Sequence, residues 1–76
     1  MIYLNSTVGQ RIAYHRKRKG IKQRELAALV GIRSERLNRI ETGAGTAGIP
    51  RLARIAWALG VSLKELLGDG GEEEQL

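Results

Sequence analysis

The placement of glycine limits most strongly what this chain can become. Gly20, Gly31, Gly43, Gly60 and Gly68 punctuate it at short intervals. Each follows a stretch whose apolar residues recur three and four apart, the spacing of one helical face. A glycine just past such a stretch is a common helix stop, because the residue beyond the C-cap often takes a left-handed backbone. The pattern therefore predicts several short helices in series. No stretch alternates well enough to propose a strand, and there is no internal repeat.

The helix starts are also marked. Thr7-Val8-Gly9-Gln10 has the form of a capping box, in which the threonine hydroxyl accepts from Gln10 N–H and the glutamine reaches back. A first helix then runs to about Lys19, with Val8, Ile12, His15, Arg16 and Lys19 on one face. A second covers about Gln23 to Val30, with Leu26, Ala27 and Val30 as its buried stripe and Leu29 beside it. A third begins near Ser34, with Leu37, Ile40 and Glu41 inward. A glycine-rich turn spans 43–48. Pro50 suits the start of a fourth helix, where its missing N–H costs nothing, and Leu52, Ile55, Ala56 and Leu59 line its inner side. Ser62-Leu63-Lys64-Glu65 is a second capping box, opening a short fifth helix to about Leu67. Residues 1–6 read as an N-terminal arm, 7–68 as one all-α domain of crossed helices, and 69–76 as a disordered acidic tail.

Composition narrows the function. The chain has 76 residues, enough for one modest core. It has no Cys, and His15 is its single histidine, so neither a disulfide framework nor a thiolate or histidine metal site is expected. No cofactor is implied. No apolar run approaches a membrane span, no secretory leader is evident, and a cytoplasmic location is expected. There is no nucleophile–base pair, and the glycines at 43, 45 and 48 lack the preceding strand and following Lys-Ser or Lys-Thr of a phosphate loop. An enzyme is the weakest reading. The net charge is +5, but Asp69, Glu72, Glu73 and Glu74 all lie in the tail, so residues 1–68 hold all thirteen Lys and Arg against four acids. Such a surface attracts polyanions; an anionic membrane is the other partner that charge alone allows. Clustered aromatics for stacking single-stranded RNA bases are lacking.

The second and third helices meet at Gly31-Ile32, a turn tight enough to call for a glycine. Two helices joined in this way form a helix-turn-helix, whose second helix enters the major groove of DNA. From Val8 to Leu67 the chain resembles the phage repressor and Cro family of Xre-type regulators. The resemblance is carried by Arg16 with Gly20, Gln23-Arg24-Glu25-Leu26-Ala27, Gly31-Ile32, Leu37, Ile40-Glu41-Thr42-Gly43, Leu59-Gly60-Val61-Ser62 and Glu65-Leu66-Leu67, in order and at matching spacing. It departs from the family at Lys22 and Arg33, which stand where Ser or Thr caps are usual.

The resemblance implies a five-helix repressor-like domain that binds double-stranded DNA as a homodimer on a palindromic operator. It implies a buried ion pair between Arg16 and Glu41, a phosphate contact at Gln23, and base contacts at Ser34, Glu35 and Arg39, with Asn38 adjacent. Chemistry agrees on the last group. Arg39 can pair guanine, Glu35 can accept from cytosine, and Asn38 can read adenine. The same face can instead be solvated, with Glu35 and Arg39 as a helix-surface pair. Lys22, Arg33, Arg36, Thr42, Thr46 and Arg51 are candidate phosphate contacts. Lys17 to Lys19 read as a solvated basic face and His15 as a half-buried packing residue. Trp57 should project sideways from the fourth helix, either onto the apolar arm Ile2-Tyr3-Leu4 or into a subunit interface. A second function class stays open: a protein-binding module such as an antitoxin, in which the acidic tail docks on a basic protein partner.

Overall fold

A computed structural model describes residues 7–68. The arm at 1–6, its contact with Trp57, and the acidic tail at 69–76 lie outside the described residues. Five helices follow one another: α1 Val8–Lys19, α2 Gln23–Val30, α3 Ser34–Thr42, α4 Ile49–Leu59 and α5 Leu63–Leu67. The described residues form no strand, and no helix is long and apolar enough to cross a membrane.

Local chemistry explains the boundaries. Gln10 N donates to the Thr7 hydroxyl at 3.1 Å and Thr7 N donates to Gln10 Oε1 at 2.9 Å, closing the first capping box. The second box closes in the same way between Ser62 and Glu65. Lys22 has no side-chain acceptor, so only the return half forms at α2, where Lys22 N donates to Glu25 Oε1 at 2.6 Å. Arg33 caps α3 with its carbonyl alone, which accepts from Arg36 N and Leu37 N. At the α2–α3 turn Gly31 has a φ of 86°. Its N–H and that of Ile32 both return to Ala27 O, at 2.8 and 3.0 Å. A side chain would strain that left-handed residue, which is why the reversal is built on glycine.

The core is shared evenly. The five largest fully buried side chains are Ile12, Leu26, Leu37, Ile55 and Leu66, one from each helix. Ala27, Val30, Ile40, Leu52, Ala56 and Leu59 complete the cluster. Burial of each leucine-sized side chain contributes roughly 1.5–3 kcal/mol, so no helix holds its place by itself. α1 packs on α3, α4 and α5, and α2 packs on α3 and α4. α1 comes close to α3 at Gly9, where an added Cβ would collide with the carbonyl oxygens of Ile40 and Glu41. Gly9 is therefore required by proximity, not by an unusual backbone angle. Arg11 is buried as well, its guanidinium lying against Gly68 at the end of α5. His15 is half-buried, edge-on to Tyr14 and 3.9 Å from Glu65.

Candidate nucleic-acid interface

α3 carries the candidate site, and its inward face explains its orientation. Leu37 and Ile40 enter the core, and Glu41 follows them to 6% exposure. A carboxylate there must be paired. Arg16, 8% exposed, supplies the pair: its Nε donates to Glu41 Oε2 at 2.8 Å and its Nη2 to Oε1 at 3.1 Å. Its remaining arm donates to Ile21 O at 3.0 Å, where the chain leaves α1. The fork geometry of arginine suits this two-point grip. One guanidinium thus fixes α1, the α1–α2 turn and α3 in register.

Gln23, the first residue of α2, joins the same group. Its Nε2 donates to Glu41 Oε1 at 2.9 Å and to Asn38 Oδ1 at 3.1 Å. An amide nitrogen has two hydrogens, so both of the Gln23 side-chain donors are committed within the protein. The backbone N–H groups of Gln23 and Arg24, which have no partner earlier in the helix, lie at the same helix start.

Ser34, Glu35, Asn38 and Arg39 are all exposed. Among the described residues, the side chains of Ser34, Glu35 and Arg39 make no hydrogen bond or ion pair, and Glu35 and Arg39 do not pair with each other. The α3–α4 loop folds back beside them. Gly45 N donates to Arg39 O at 3.0 Å, and a Cβ at Gly45 would sit 3.3 Å from the Arg39 Cβ. The loop thus lies against the base of the Arg39 side chain.

Cations surround this face. Arg33, Glu35, Arg36, Arg39 and Arg51 line a shallow groove of about 490 Å³ with the α2–α3 turn. Arg36, Arg51 and Arg54 line a second, of about 550 Å³, between α3 and the start of α4. Arg36 Nη2 reaches Thr46 O at 3.5 Å, and Thr42 Oγ1 donates to Arg39 O at 3.3 Å. Lys22 and Thr46 are exposed at the starts of α2 and of the loop's second half. Sequence reading singled out Arg36 and Arg51 but missed Arg54. Its signal was the one-turn spacing from Arg51 along α4, visible only once the outer face of that helix is known. Trp57 stands one turn further on, 76% exposed, beside Leu29, Pro50, Ala53 and Arg54.

This arrangement is a helix-turn-helix with a bare, cation-flanked second helix, and comparison with known proteins agrees. A helix-turn-helix family model matches residues 12–66. No curated protein matches the sequence. Among solved structures, the restriction-modification controller protein C.AhdI from Aeromonas hydrophila is 30% identical, with a TM-score of 0.75 over 79% of this chain and 87% of that one. The P22 c2 repressor, solved in complex with a synthetic operator, is 27% identical, with a TM-score of 0.78 over 83% of this chain and 96% of that one. The chain belongs to the helix-turn-helix family of DNA-binding transcription regulators, a family of regulators and not of enzymes.

Proposed function

We propose that this protein is a repressor that acts in the cytoplasm as a homodimer on a palindromic operator. α3 lies in the major groove, and Ser34, Glu35, Asn38 and Arg39 face base edges. The observation that carries this reading is the contrast between the two sides of α3. Its inner side is locked by the buried Arg16–Glu41 pair, while the exposed side chains of Ser34, Glu35 and Arg39 have no hydrogen-bond or ion-pair partner among the described residues. Lys22, Gln23, Arg33, Arg36, Thr42, Thr46 and Arg51 contact phosphates, which sets register without reading sequence. One such helix reads too few base pairs to find a site in a genome. Two copies would place their reading helices about one DNA turn apart, roughly 34 Å. The relation to a repressor solved on its operator supports the same assignment.

Selection from a random duplex library at two salt concentrations, with wild type and Arg39→Ala in parallel, tests it. A palindromic motif is expected, with preference lost at one position per half-site in the variant. Salt-sensitive binding without any motif would refute the assignment of α3 as the reader.

A further inference from the structure

The contacts of Gln23 fix more than the helices. They form a relay in which each hydrogen-bonding group dictates the orientation of the next. Glu41 is an acceptor on both oxygens and cannot turn away, because Arg16 holds both of them from the inside. Gln23 must therefore present its nitrogen to Glu41; its oxygen there would place two acceptors 2.9 Å apart. The same nitrogen sends its second hydrogen to Asn38, so Asn38 must present its oxygen inward, at 3.1 Å. The opposite rotamer would set two N–H donors against each other. What is left facing solvent on Asn38 is the amide NH2.

We propose that Asn38 reads a hydrogen-bond acceptor edge in the major groove with this outward NH2, and that Gln23 is the positioning residue that fixes its orientation. The inference rests on the DNA-reading role of α3 given above. An asparagine free to turn pairs adenine, donating to N7 and accepting from N6. Here Oδ1 is turned toward Gln23, and the adenine pairing is disfavoured. Guanine, with acceptors at N7 and O6, and thymine, with its O4, fit the presented donors; cytosine offers a donor and does not. Gln23 acts on base choice through Asn38.

The test compares motifs selected by wild type, Asn38→Asp and Gln23→Met, together with affinity for a random duplex. Wild type is expected to show one half-site position that favours guanine or thymine. Asn38→Asp exchanges donors for acceptors at an exposed site and should move that position toward cytosine. Gln23→Met releases Asn38 and should weaken discrimination against adenine there by roughly tenfold, within the range of one bidentate base contact. In Gln23→Met the Arg39-dependent position and the random-duplex affinity should not change, whereas Asn38→Asp, which adds a negative charge at the DNA face, should also lower random-duplex affinity. The proposal is overturned if Asn38→Asp leaves every position as in wild type. It is equally overturned if Gln23→Met keeps full discrimination, or loses affinity uniformly on all sequences as a side-chain phosphate contact would. Should Gln23→Met fail to fold by circular dichroism, Asn38→Asp decides alone, since that side chain is exposed. A wild type with no motif refutes the reading role of α3 and this proposal together, whereas a motif sensitive to Arg39 but not to Asn38 refutes this proposal only.

Discussion

Removing Glu41 should cost this domain most of its stability, and removing Arg16 with it should restore much of the loss. In Glu41→Met, Arg16 stays 8% exposed and loses both carboxylate bonds, at 2.8 and 3.1 Å, keeping only Ile21 O. Two hydrogen bonds to a charged group contribute about 1.5–3 kcal/mol each, and breaking a buried pair from one side costs about 3–5 kcal/mol. At roughly 0.05–0.15 kcal/mol per residue, a domain of this size has about 3–9 kcal/mol in total. The variant should then melt at least about 12 °C lower, at roughly 4–8 °C per kcal/mol, or be unfolded at room temperature. Arg16→Met should be comparable, with the Glu41 carboxylate left to one amide from Gln23. Arg16→Met/Glu41→Met strands no charge and, besides the pair itself, gives up the Gln23–Glu41 and Arg16–Ile21 O bonds, so it should fall within about 2–3 kcal/mol of wild type. Far-ultraviolet circular dichroism against urea is the assay, because Trp57 is too exposed to report core packing by fluorescence. Two single variants within about 1 kcal/mol of wild type would mark the pair as an ordinary surface contact and refute its role as the lock on α3.

Three further outcomes follow from the geometry. Gly9→Ala should destabilise by about 1–3 kcal/mol or more through overpacking, read from the same urea curves, although alanine favours helix; an unchanged midpoint would mean that α1 does not approach the Ile40 and Glu41 carbonyls so closely. Arg54→Ala should lower the slope of log affinity against log salt by about 0.9, the contribution of one phosphate contact, with the selected motif unchanged; an unaltered slope removes Arg54 from the DNA surface. Trp57→Ser should shift sedimentation toward monomer without lowering the urea midpoint, and a stable dimer in that variant would place the subunit contact elsewhere.

The parts of this fold that depend on neighbours along the chain were legible in the sequence. The five helices, the two full capping boxes and the stripes Leu26-Ala27-Val30 and Leu52-Ile55-Ala56-Leu59 rest on spacings of three and four. The pairing of Arg16 with Glu41 came from family resemblance, and the inward position of each agreed with periodicity. The parts that depend on distances between helices were not legible. Gly9 looked like an interior member of a capping box, and nothing local says that another helix's carbonyls lie against it. Arg11 is buried against the end of α5 though its residue type suggests solvent. At Gln23 the sequence offered an amide at a helix start, and its commitment to Asn38 and Glu41 appears only when α2 and α3 are set side by side. Leu29 sat beside a buried stripe and is 56% exposed, in a groove with Pro50, Ala53, Arg54 and Trp57 of α4.

The two sides of α3 also set the terms on which this protein can diverge. Ser34, Glu35 and Arg39 are exposed, and among the described residues their side chains hold no hydrogen bond or ion pair, so a lineage can exchange them one at a time and drift to a new operator with its folding intact. Asn38 is tethered through Gln23 to the buried carboxylate, so a change there disturbs a partner that also serves the scaffold. Such a position evolves in company or stays put, while its neighbours wander.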